Sequence, residues 1–155
     1  MKTVQQLVTD LDNLQKGDSW LGYNALQVLN GIDASSAASK AYEKGNSIWK
    51  LVNHISYWRA FVAKRVKEKR FISSAEEGFS EPLIKDEESW NMTVQHFIQS
   101  YEDLRSSIAL LKEEELFTPL ENGQTLYYNI NGCILHDAFH LGQVIILKRM
   151  AGINA

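Results

Sequence analysis

The chain has 155 residues, 45% of them hydrophobic and 23% charged, with 2 Pro and 9 Gly, a composition that excludes a disordered or collagen-like chain. Its length fits one domain with a full apolar core. Sixteen Lys and Arg against 19 Asp and Glu leave a net charge of −3, so no global positive field exists to hold a phosphate backbone, and nucleic-acid binding is not expected.

Between residues 3 and 15, Val4, Leu7, Val8, Leu11 and Leu14 recur at spacings of three and four, which predicts a helix with one buried face. Gly17 interrupts it. Asp18 or Ser19 can cap a second short helix that carries Leu21, Ala25, Leu26, Val28 and Leu29 as far as the Asn30-Gly31 turn, so the N-terminal helix is read as broken. Residues 32–45 are small and polar and read as a connection with one helical turn at most.

Asn46 or Ser47 can cap the next helix, whose stripe is Ile48, Leu51, Val52, Ile55, Trp58, Phe61, Val62 and Val66. Lys64, Arg65, Lys67, Lys69 and Arg70 crowd its end, where positive charge is favourable. About 23 residues make a rod of roughly 35 Å. Residues 71–85 hold Ser73, Ser74, Gly78 and Pro82 and break the pattern. Fully extended, that connection reaches about 50 Å, enough to return along the rod and set the next helix parallel to it.

A third long helix is expected over about 86–113, with Trp90, Val94, Phe97, Ile98, Tyr101, Leu104, Ile108 and Leu111 inward and Lys112-Glu113-Glu114-Glu115 ending it in solvent. After the Glu121-Asn122-Gly123 turn a last helix runs from about 125 to 150, with Ile130, Ile134, Leu141, Val144, Ile145 and Leu147 as core candidates. No convincing strand pattern occurs. Four apolar stripes of this kind are buried by an all-α four-helix bundle.

Cys133 is the single cysteine and cannot form an internal disulfide, and the start MKTVQQLVTDLDNLQ carries charges where the apolar core of a signal peptide would lie. The expectation is a cytoplasmic protein. No run approaches the roughly 18 consecutive apolar residues of a membrane span, so no membrane partner is expected.

Chemistry concentrates in the histidines. His136 and His140 stand at i and i+4 on the last helix, one above the other on a single face, the spacing at which two imidazoles bind one ion. His54 lies within the apolar arc of its own helix with Leu51, Trp58 and Phe61. Three inward imidazoles without partners would each cost about 1–3 kcal/mol, a penalty that one shared divalent metal removes. Three neutral imidazoles suit zinc, nickel, copper or iron and leave a position for water or substrate. The plainer reading, three core histidines bonded to backbone carbonyls or Tyr hydroxyls, stands beside it, and periodicity does not choose between them.

His96, flanked by Gln95 and Gln99, is read as partly exposed and outside the site. Cys133, one turn before His136, is conceivable as a thiolate ligand, but core packing is its simpler role. Asp137 is either an acceptor that orients a ligand ring or a solvated charge, and the second is the simpler expectation. Trp20, Trp49, Tyr57 and Trp58 could line a pocket; plain core is their default. No phosphate loop, Gly-x-Ser-x-Gly elbow, Cys-x-x-Cys or paired Glu-x-x-His occurs, so hydride, acyl-serine and phosphate-loop chemistry lose support.

Three stretches, GDSWLGYNALQVLNGI, SIWKLVNHISYW and LHDAFHLGQVIILKR, resemble in order the early Trp-x-Gly segment, the second-helix histidine motif and the final His-x-x-x-His-x-Gly-Gln motif of the DinB/YfiT-like family. Leu21 stands where some relatives carry another His. The resemblance implies an up-down-down-up bundle and a metal on His54, His136 and His140, with zinc or nickel expected. It also implies a thiol S-transferase that joins a low-molecular-weight thiol to a small electrophile through a metal-bound thiolate. The alternatives are a hydrolase that uses metal-bound water and a non-catalytic metal-binding stress-response bundle. A homodimer is consistent with the resemblance and with exposed bundle faces.

Overall fold

The computed structural model describes residues 3–41, 43–74 and 78–153, and the regular structure among these residues is helical, with no strand beyond one isolated bridge between Pro119 and Thr125. The helices are α1 (Thr3–Gln15), α2 (Ala25–Leu29), α3 (Ala34–Ala38), α4 (Ile48–Glu68), α5 (Glu87–Ala109), α6 (Glu113–Phe117) and α7 (Leu126–Met150). Of the two connections expected from the sequence, positions 42 and 75–77 lie outside the described residues.

Helix starts follow capping chemistry. Asn24, Asp33, Ser47, Asp86 and Thr125 each accept an N–H of the first turn with a side-chain oxygen, an arrangement worth about 1 kcal/mol apiece. The second helix does not start at Asp18 or Ser19: Gly22 takes a left-handed φ of 81°, and Asn24 instead forms a reciprocal cap with Gln27. The expected third helix is also shorter. It stops at Ala109, and the acidic run opens α6 instead of ending a helix in solvent. The reason is that the open N–H groups of α1 need acceptors: Glu113 takes those of Thr3 and Val4 at 3.0 and 2.9 Å. Ile98 is 38% exposed rather than inward, because Phe97, Tyr101, Leu104 and Ile108 occupy the buried stripe of α5.

Helix α4 packs against α5 and α7, and α1 packs against the same two. Trp49, near the start of α4, meets Trp90, near the start of α5, edge to face at 5.2 Å. Between α4 and α7 the order reverses, with Arg65 Nη1 donating to Asn129 Oδ1 at 2.6 Å while His54 meets His136 and His140.

The apolar interior has two parts. One is built from the first half of α4, the start of α5 and the end of α7 with α2 and α3; the other from α1, the end of α4, the second half of α5 and the start of α7. On α4 the break falls between Ile55 and Val62, and on α7 between Cys133 and Leu141. A polar layer fills it: Arg59, His136, Asp137 and His140 lie within these breaks, with His54 at their edge. Helix α7 is long and apolar enough to cross a membrane by length and composition. It also turns Asn129, Asp137, His140 and Lys148 into the interior, the pattern of a core helix.

Candidate metal centre

The fold brings His54, His136 and His140 together, with one ligand nitrogen from each lying within 4.8 Å of the others. His54 Nε2 and His136 Nε2 are 2.9 Å apart. A tetrahedral ion with Zn–N bonds near 2.05 Å separates its nitrogens by about 3.3 Å, so the trio needs shifts of about 1 Å to close on one. These three residues could hold a metal ion. His54 and His140 are buried and His136 is partly exposed, in a groove it shares with Trp58 and Gly132 between α4 and α7.

The surroundings set the rings. His140 Nδ1 lies 2.8 Å from Gln143 Oε1, one turn along the helix. With Nδ1–H donated there, Nε2 is the bare nitrogen. Burial holds the His140 imidazole below the usual histidine range; the Gln143 bond opposes this without overcoming it. Phe79 stacks on His54 at 3.7 Å, with ring planes 10° apart. Phe79 is delivered by Gly78, whose φ of 74° and close approach to Tyr57, 2.5 Å from a would-be Cβ to the ring, admit no side chain. Asn53 ties the same strap to α4 by donating to Ser80 O at 2.8 Å.

Asp137 is not a solvated charge. It is fully buried, and Arg59 Nε donates to its Oδ2 at 2.5 Å with neither side chain exposed. Arg59 also lies 4.3 Å from the Phe97 ring centroid and sends Nη1 to Phe97 O at 3.4 Å. Arg59 and Phe79 are the neighbours that sequence reasoning missed, whereas Gln143 is the Gln that ends the His-x-x-x-His-x-Gly-Gln stretch. For Arg59 a signal existed: it falls on the Ile55, Val62, Val66 stripe, where a cation demands a buried partner. Cys133 is buried outside the trio, and desolvation pushes its thiol well up, so it packs as a neutral thiol. His96 is exposed and lines a separate open cleft of about 810 Å³ with Tyr57 and Phe79. Trp20 is fully exposed and Trp49 fully buried.

Compared with known proteins, the chain matches no family model, no curated protein and no solved structure.

Proposed function

We propose that the protein binds one divalent metal ion, zinc or nickel, on His54, His136 and His140 and transfers a low-molecular-weight thiol to a small electrophile. The observation that carries the reading is the convergence of three imidazole nitrogens within 4.8 Å, in a layer where unshared imidazoles would be destabilising. The donor set fits such an ion: neutral nitrogen ligands from two facing helices, one already holding its N–H away from the centre toward Gln143. An ion bound there supplies Lewis acidity that lowers the pKa of a thiol or water, making a nucleophile near neutral pH. Within the chain, the groove at His136 gives access, Phe79 covers His54, and the Arg59–Asp137 pair fixes the register of α4 on α7.

The DinB/YfiT-like resemblance belongs to the same proposal. An up-down-down-up course is supported by the parallel meeting of Trp49 with Trp90 and the reversed pairing of α4 with α7. Asp12 on α1 meets Tyr101 and Arg105 while Thr3 meets Glu113, which sets α1 against the direction of α5. A reducing, cytoplasmic setting suits a lone buried thiol.

A homodimer is also proposed, on a specific feature of α7. Tyr128, Leu135, Phe139, Ile146 and Met150 are 59–65% exposed and recur at spacings of seven and four, the seam of a helix pair. Gly132 and Gly142 lie along the stripe, with open space where a side chain would stand. The five side chains expose about 600 Å² of apolar surface, near the roughly 800 Å² per partner of a standard interface. From Leu126 to Leu147 the only charge on α7 is the buried Asp137, so nothing repels a second copy across a two-fold axis.

The test is elemental analysis of untagged protein beside His140→Ala, followed by thiol-transfer assays with zinc- and nickel-loaded protein. About one ion per chain, lost in the variant, with thiol consumption in the loaded protein, is the expected result. Hydrolysis without thiol would favour the water-based alternative. Absence of metal after reconstitution would leave three core histidines.

A further inference from the structure

We infer that Asp137, held by Arg59, is a positioning residue that places the single ring proton of His136 on Nδ1 and so keeps its Nε2 bare for the ion. This rests on the metal reading above and concerns how the site is prepared. A neutral imidazole carries one N–H, and the nitrogen that bears it cannot ligate. His136 Nδ1 is buried with no hydrogen-bond partner, and so is Asp137 Oδ1. The two atoms are 3.7 Å apart. A proton on Nδ1 satisfies the orphan donor and the orphan acceptor together after a ring shift of under about 1 Å.

Arg59 makes the arrangement directional. Its Nε occupies Asp137 Oδ2 at 2.5 Å, and with both side chains wholly buried the carboxylate has no route to water. The second oxygen therefore stays on the His136 side. The same choice accounts for the contact between the rings: His54 Nε2–H donates to the bare Nε2 of His136 at 2.9 Å. For His54 to offer Nε2 to an ion as a neutral ligand, its own proton has to move from Nε2 to Nδ1. His140 is prepared in parallel by Gln143. The Nδ1 proton of His136 thus has a carboxylate as its acceptor and that of His140 an amide oxygen.

The experiment uses full-length protein, wild type, Asp137→Asn, and the double variant Arg59→Met with Asp137→Leu. Histidine tautomers are read by 15N–1H NMR in the metal-free state. Zinc affinity is read by competition with a chromogenic chelator, and folding by circular dichroism. An Asn at 137 turns its carbonyl to Arg59 and its amide N–H₂ to His136, which favours the proton on Nε2. The expected results are Nδ1–H on His136 in wild type, Nε2–H in Asp137→Asn, and a 10–100-fold loss of zinc affinity in both variants with helical content retained. The double variant serves where the single one fails to fold, because it removes both buried charges. Nε2–H on His136 in wild type overturns the inference, as does wild-type zinc affinity in either folded variant; Asp137 then only neutralises Arg59. Failure of the metal reading looks different: wild type takes up no zinc, while the tautomer assignment still decides the role of Asp137.

Discussion

Breaking the Arg59–Asp137 pair from one side should be among the most damaging single changes in the molecule. Both side chains are at 0% exposure and joined at 2.5 Å, so Arg59→Met leaves a carboxylate, and Asp137→Leu a guanidinium, buried without a counter-charge. Each single change is expected to lose about 3–5 kcal/mol. For a chain of this size each 1 kcal/mol lowers Tm by about 2–4 °C, giving a fall of roughly 6–20 °C. The double change should recover most of that loss. The pair is imperfectly satisfied, since Arg59 Nη2 and Asp137 Oδ1 lack partners and Nη1 reaches Phe97 O only at 3.4 Å. Apolar replacements of similar volume are therefore expected within about 1 kcal/mol of wild type. Urea denaturation of the four proteins closes the cycle, with an expected coupling of about 5 kcal/mol or more. Single variants that each lose under about 1 kcal/mol would show that water reaches the pair and refute the reasoning.

Three further changes probe other parts of the structure. Burial raises the Asp12 carboxyl, but hydrogen bonds from Arg105 and Tyr101 outweigh it and hold the group below 3.8; its contribution is therefore complete above that value and is lost as pH falls through the folded-state pKa. Asp12→Asn should lose about 1 kcal/mol at pH 7, discounted for partial exposure, and the denaturation curves of variant and parent should converge in acid. Leu135→Lys with Phe139→Lys should convert a dimer to monomer in sedimentation without lowering helicity; a monomeric parent would refute the α7 seam, and co-sedimentation of the parent with lipid vesicles would assign the stripe to a membrane. Gly78→Ala meets both a left-handed backbone and the Tyr57 ring, and should lower stability by about 1–3 kcal/mol and lift Phe79 from His54, read as changed His54 ring shifts.

Periodicity was enough to place α1, α4 and α7 to within a residue or two, because each has a strong cap or an uninterrupted stripe. It failed where a long-range acceptor decided the local structure. Nothing near Glu113 says that its carboxylate will cap α1, more than a hundred residues earlier in the chain. The convergence of His54 with His136 and His140 followed from inward faces on two helices. The fate of Asp137 was legible only in combination. Alone it reads as solvated, but Arg59 interrupts the stripe of α4 as Asp137 interrupts that of α7, and two opposite charges on facing buried stripes imply a pair. Phe79 and its seat on His54 depend on the backbone of a connection with no periodicity to read.

The polar layer also bears on whether an ion at the histidine trio would serve as a structural staple. In a small domain stapled by zinc, the ligands carry the folding energy and the metal-free chain is unfolded. Here α4 and α7 already meet through two apolar clusters, the Arg59–Asp137 pair and the Arg65–Asn129 bond. Removal of metal should therefore leave a cooperative thermal transition and near-native circular dichroism. Zinc at about a hundred times its Kd should then add about 2.7 kcal/mol, a rise of roughly 5–11 °C in Tm, absent in His140→Gln. A chelator that unfolds the protein would show instead that the ion holds the two helices together, and the proposed transfer chemistry would lose its support.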